Sequence, residues 1–149
     1  MDVLHHLPMW PLSLGGLSTE QTMLGLAALL GLFQLMIAAR TGNRQRGLKW
    51  NLSARDEAPP AVGAVAGRLE RAYRNFMETF PFFAVSVILL SAEARHSWAT
   101  VWGSETYLTA RVVYLPLYGF GVPGVRTLVW LIALLAILLL YAAVFVPGL

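Results

Sequence analysis

Arg71, Arg74, Asn75 and Glu78 sit three, one and three residues apart within the string ERAYRNFMETFPFF. On a helix that advances about 100° per residue they share an arc roughly 100° wide. Two guanidiniums, an amide and a carboxylate therefore face one way, while Phe76, Phe80 and Phe83 form a separate stripe for lipid or packing. A solvated helix end accounts for Arg68 and Glu70, because charged ends of apolar helices reach back to water. Asn75 and Glu78 are short side chains deeper in the segment, where an ionised group costs at least ~2.5 kcal/mol and generally has a partner or a cavity. Glu78 can pair with Arg74 four residues earlier or with an arginine of another helix; a purely structural ion network is the alternative to a ligand site. Pro81 withdraws the bond to the Met77 carbonyl and frees an acceptor beside Glu78.

A second constellation comes from Tyr107, Arg111, Tyr114 and Tyr118, spaced four, three and four apart and confined to an arc of about 60°. An arginine cannot discard its proton, so burial of Arg111 calls for a nearby anion, either Glu78 or a bound carboxylate. Tyr107 and Tyr118 also suit an interfacial aromatic belt; Tyr114, on the face of Arg111, suits it less well. Arg126 and Thr127 follow the turn GFGVPG. A cation at a helix start opposes the macrodipole, and an anion there relieves the conflict, although a basic residue at a membrane boundary is ordinary too. Together these groups fit a small zwitterion with more than one carboxylate. A thiol gains further: lowering a thiol pKa of about 8.5 by two units takes roughly 2.7 kcal/mol, the order one desolvated guanidinium supplies. Cysteine is absent, so the ligand must bring any reactive sulfur. The histidines are His5, His6 and His96; no further ligand stands at metal spacing, and no metal site is expected.

The elements that position these residues are membrane helices. Of 149 residues 57% are hydrophobic and 13% charged, against about 25% charged in soluble domains. The pattern predicts an all-α integral membrane protein, a four-helix up-and-down bundle in a single domain over 1–149. The helices are expected at about 18–40, 67–92, 97–118 and 125–147. Ser18 and Gln21 form a capping box at the first, and the span from Thr127 to Val146 carries no charge. The intervening loop 41–66 is rich in Gly, Pro and charge. Arg40, Arg44, Arg46, Lys49, Arg55, Arg68, Arg71 and Arg74 cluster in one stretch, which places the loop in the cytosol and argues against nucleic acid as the reason for the net charge of +3. MDVLHHLPMW lacks a basic n-region, so no cleaved signal peptide is expected.

ERAYRNFMETFPFF, followed by RVVYLPLYGFGVPGVRTLVW, resembles the MAPEG family (membrane-associated proteins in eicosanoid and glutathione metabolism), over most of the chain from about Arg40 onward. The resemblance implies homotrimers of four-helix protomers, with glutathione as co-substrate bound between protomers. It implies that Arg71, Arg74, Asn75 and Glu78 hold the glutathione backbone and charged ends, that Arg111, Tyr114 and Tyr118 line the pocket, and that Arg126 stabilises the thiolate with Thr127 beside it. Arg40 would meet a glutathione carboxylate. Tyr114 stands where some prostaglandin-synthesising members have histidine, which weighs against that activity. The leading expectation is a membrane-bound glutathione transferase or peroxidase acting on lipophilic electrophiles or lipid hydroperoxides, with membrane lipids and itself as partners. The bacterial inner membrane is preferred, or the endoplasmic reticulum in a eukaryote. A non-catalytic lipid-binding or scaffold protein of the same fold is the alternative. A small anion transporter is disfavoured by the lack of a second, repeated half.

Overall fold

The computed structural model describes residues 14–146 and 148–149; His5 and His6 lie outside them. Among the described residues five helices follow in order: α1 (Thr19–Arg46), α2 (Leu48–Asn51), α3 (Ala64–Ala92), α4 (Trp98–Phe120) and α5 (Pro123–Phe145). No strand occurs among the described residues. At the start of α1 the Gln21 N–H donates to Ser18 Oγ at 3.2 Å, and the Ser18 N–H donates to Gln21 Oε1 at 3.0 Å. The capping box read from the sequence is thus formed.

Helix ends differ from expectation where tertiary contacts extend them. α1 continues past Arg40 to Arg46, so the region expected to leave the helix at 41 is still helical. Nothing before Gly47, whose φ is +82°, stops it. Arg44 and Arg46 also favour the negative end of its dipole, and Arg46 Nη1 lies 2.6 Å from Glu70 Oε1 of α3. α3 begins at Ala64 rather than 67, its cap residue Gly63 donating its N–H to Gln45 Oε1 at 2.6 Å. α5 begins with Pro123, whose fixed φ and missing N–H suit a first helical turn.

The contacts define two ends of the molecule. At one, Thr100 of α4 donates its hydroxyl to Glu20 of α1, and Arg95, just after α3, donates to the Val144 carbonyl of α5. At the other, Arg46 of α1 meets Glu70 of α3, and Arg68 of α3 packs beside Gly121, where α4 ends in the left-handed conformation. Neighbouring long helices therefore run in alternating directions.

The polarity of the packing is that of a membrane protein. Met23, Ala27, Phe83, Val87, Leu90, Ile137 and Leu140 form a core with Tyr107, whose ring stacks on Phe83 at 4.0 Å between centroids. Gly103 lets α4 approach α5 so closely that a Cβ there would lie 2.9 Å from Leu140. Buried among these are Gln34, Thr79, Ser86, Ser104 and Arg111, while Leu29, Leu32, Phe82, Ile88, Leu128, Leu135 and Leu138 point outward. Apolar surface outside and polar groups inside suit a hydrocarbon solvent. α1, α3 and α5 are each long and apolar enough to cross a membrane, and the protein is an integral membrane protein. α4 falls short of that apolarity because Glu105, Arg111 and several Thr and Ser residues interrupt it.

Candidate functional site

Arg111 is the largest fully buried side chain, 1% exposed. It sits mid-helix on α4 and points toward α3. Its Nη1 donates to Asn75 Oδ1 at 3.0 Å and its Nη2 to Thr79 Oγ1 at 2.5 Å. The guanidinium carbon lies 5.4 Å from the Tyr107 ring centroid and 5.5 Å from that of Tyr114. Each desolvated cation–π contact of this kind contributes up to about 2 kcal/mol. Nε has no partner.

The expected ion pairs are rearranged. Glu78 neither meets Arg111 directly nor pairs with Arg74; among the described residues the arginine–carboxylate ion pair is Arg46–Glu70, and His96 Nδ1 lies 3.2 Å from Glu20 Oε2. Instead Glu78 Oε2 accepts from Asn75 Nδ2 at 3.4 Å, while the same amide's oxygen accepts from Arg111. Asn75 thus stands between cation and anion, reporting the charge of each to the other without neutralising either. A buried cation held only by neutral oxygens and aromatic faces leaves a positive potential in the space next to it.

That space is a cavity of about 160 Å³ lined by Asn75, Tyr114, Arg126, Thr127 and Trp130. Its walls come from α3, α4 and the first turns of α5. Arg126 lies with its guanidinium carbon 4.5 Å above the Tyr118 ring, and the indole Nε1 of Trp130 is buried without a hydrogen-bond partner. Orphaned buried donors are uncommon in native structures, and one on a cavity wall offers a hydrogen bond to whatever enters. A guanidinium, an indole, two hydroxyls and an amide around a cationic opening make a receptor for a small anion.

Of the residues predicted from sequence, Asn75, Tyr114, Arg126 and Thr127 meet at this cavity. Arg111 backs it through Asn75 and Tyr114, Tyr118 supports Arg126, and Glu78 reaches it through Asn75. Arg71 and Arg74 stand exposed on α3, and Arg40 is exposed on α1; none lines the cavity. Tyr107 is a fully buried core residue rather than part of an aromatic belt, its hydroxyl 3.3 Å from Thr79 Oγ1. Thr79 and Trp130 were not legible as site residues. Yet each stands four residues after a predicted one, Asn75 and Arg126, and helical spacing puts both on the faces already singled out. Among the described residues no three His, Cys, Asp or Glu side chains gather as a metal site.

The model of one protein family, described as the MAPEG family, matches residues 23–146. No curated protein and no solved structure matches the chain. The family match spans nearly all of the chain and takes in every residue of the cavity wall. The chain belongs to the MAPEG family.

Proposed function

We propose that this member of the MAPEG family is a membrane-bound glutathione transferase with glutathione peroxidase capacity, in which Arg126 holds the sulfur of glutathione as a thiolate. The observation that carries the reading is the cationic cavity wall: Arg126 and Thr127 beside Tyr114 and Asn75, with Arg111 buried behind them and no carboxylate lining the opening. A thiol of pKa about 8.5 needs roughly 2.7 kcal/mol of differential stabilisation to be half ionised two units lower. A charge-assisted bond from a guanidinium is of that order once bound ligand and a neighbouring protomer exclude water from it. The thiolate then attacks an electrophilic carbon of a lipophilic acceptor; the new S–C bond forms as the leaving group departs with its electron pair. With a lipid hydroperoxide the sulfur takes the terminal oxygen, releasing an alcohol, and a second glutathione completes the disulfide and water.

The cavity is smaller than the ~300–1,000 Å³ that usually encloses a ligand of tripeptide size. In this reading it receives the thiol end, and the charged ends extend toward the exposed Arg71, Arg74 and Arg40. These arginines carry the surplus charge that glutathione carboxylates complement. A neighbouring protomer would close the site over them, in keeping with the homotrimer the resemblance implies. The same reading takes α4 as a fourth span, its Arg111 shielded by α3 and its lipid-facing side supplied by Trp102, Val112 and Val113, all exposed. It also puts the end carrying the 41–66 segment in the cytosol, where glutathione is available, with the bacterial inner membrane as the membrane.

Steady-state kinetics with a lipophilic electrophile test this. Arg126→Ala should lower kcat about a hundredfold or more, the magnitude for loss of a preorganised donor to a reacting anion, with glutathione affinity falling much less. Equal loss of turnover and binding removes the thiolate role. Wild-type protein that binds no glutathione and turns over no electrophile turns the reading to a non-catalytic lipid-binding or scaffold protein.

A further inference from the structure

A second pocket, of about 590 Å³, lies between the end of α1, the short α2 and the chain that follows; Arg46, Lys49, Trp50, Arg55, Asp56 and Glu57 line it. Two of its donors, Trp50 Nε1 and Arg46 Nε, are buried with no hydrogen-bond partner. Two guanidiniums share the Trp50 ring: the Arg46 carbon is 5.4 Å and the Arg55 carbon 5.0 Å from its centroid. Lys49 adds a third cation nearby. The charge of Arg46 is already offset by Glu70, whereas Lys49 and Arg55 have no ion-pair partner among the described residues; these two like charges repel, and an anion between them offsets the repulsion. Asp56 and Glu57 line the same pocket, yet neither comes within ion-pair distance of any cation among the described residues. The pocket therefore holds a cationic wall and an anionic wall that do not satisfy each other.

The surroundings specify where such a ligand sits. Leu48, which opens α2, and Leu52, the residue just after it, are 73% and 78% exposed. Two bare leucines at the end of a membrane-crossing helix, next to a tryptophan and a lysine, are the composition of an element resting at the bilayer–water boundary. Both leucines then face acyl chains while the pocket beside them opens among the headgroups.

We propose that this pocket is a binding site for the headgroup of a zwitterionic aminophospholipid, a phosphodiester carrying a primary ammonium. The phosphate meets Lys49, Arg55 and the free N–H groups of Trp50 and Arg46; the ammonium meets Asp56 and Glu57. A primary ammonium donates to both carboxylates, which a quaternary ammonium cannot, and a phosphatidylglycerol headgroup offers those carboxylates no cation. The site is separate from the cavity of Arg126, and its existence does not depend on what that cavity does.

The test is titration calorimetry of the full-length protein in a nonionic detergent with short-chain phosphatidylethanolamine, phosphatidylcholine and phosphatidylglycerol, and with water-soluble glycerophosphoethanolamine. Phosphatidylethanolamine should bind about tenfold or more tightly than the other two lipids, the weight of a charge-assisted pair. Trp50→Phe keeps the ring but removes the N–H and should weaken that binding about fivefold. The double variant Asp56→Asn/Glu57→Gln, at exposed positions where folding is not at stake, should erase the preference over phosphatidylcholine. Equal affinity for the three lipids, or a preference untouched by both variants, overturns the proposal. Glycerophosphoethanolamine binding as tightly as the lipid overturns it as well, making the pocket a site for a soluble ligand.

Discussion

Replacing Thr79 by valine isolates what the buried guanidinium requires. Thr79 is 7% exposed. Its single hydroxyl proton goes to the Phe76 carbonyl at 3.2 Å, so its oxygen accepts from Arg111 Nη2 at 2.5 Å and from the Tyr107 hydroxyl at 3.3 Å. Valine fills nearly the same volume, so no cavity opens and packing changes little. What changes is that Arg111, already without a partner at Nε, loses its second acceptor in a site 1% exposed. Leaving a buried donor unmatched costs about 1–3 kcal/mol, toward the upper end for a charged group, and the Tyr107 hydroxyl is stranded as well. Thr79→Val should therefore lower stability by about 3 kcal/mol, measured by reversible unfolding in mixed micelles. Thr79→Ser, which keeps the oxygen, should stay within about 1 kcal/mol of the wild type. A valine variant within about 0.5 kcal/mol of wild type, inside the ordinary scatter of surface changes, refutes the claim that Thr79 satisfies the buried charge.

Arg111→Met removes the charge together with its demand for acceptors, so its stability should lie within about 1–2 kcal/mol of wild type while glutathione binding, followed by calorimetry, is lost; a large destabilisation would make Arg111 a structural residue first. Trp130→Phe should weaken glutathione binding by about 1 kcal/mol, one hydrogen bond, and unchanged affinity would show that the orphaned indole N–H does not face the ligand. Gly103→Val forces branched atoms into the space held by Leu140 and the Ala136 carbonyl and should destabilise the α4–α5 contact by about 1–3 kcal/mol, read from the unfolding midpoint. Glu70→Gln breaks an ion pair whose side chains are 16% and 26% exposed, so less than about 1 kcal/mol should be lost, and a larger loss would mean that this contact anchors the extended end of α1.

Much of the molecule is legible in periodicity. The polar arc of α3, the tyrosine–arginine arc of α4 and the capping box of α1 follow from helical spacing and local hydrogen bonding, and those rules hold before any tertiary structure forms. The partners of Arg111 are not of that kind. Coulomb attraction points to Glu78, but the helix crossing brings Asn75 and Thr79 to the guanidinium instead, and which turn of one helix faces which turn of another is decided by packing. Trp130 reads as one more apolar residue until its N–H is found buried and unpartnered at the cavity. The extension of α1 to Arg46 escapes local reasoning for a similar reason: Thr41, Gly42 and Asn43 are weak helix formers, and the helix carries through them to an arginine held by Glu70 of another helix. α4 illustrates a limit of composition. A helix that shelters an arginine is less apolar than its neighbours because of the residues that suit it to a site.

The most direct test of the central claim is the ultraviolet absorbance of the glutathione thiolate, followed while detergent-solubilised protein is titrated with glutathione near neutral pH, for wild type and Arg126→Ala. A saturable thiolate band in the wild type, absent in the variant although glutathione still binds, is the predicted result. A band of equal height in both proteins, or bound glutathione without any band in the wild type, would contradict the assignment of Arg126 as the residue that holds the reacting sulfur.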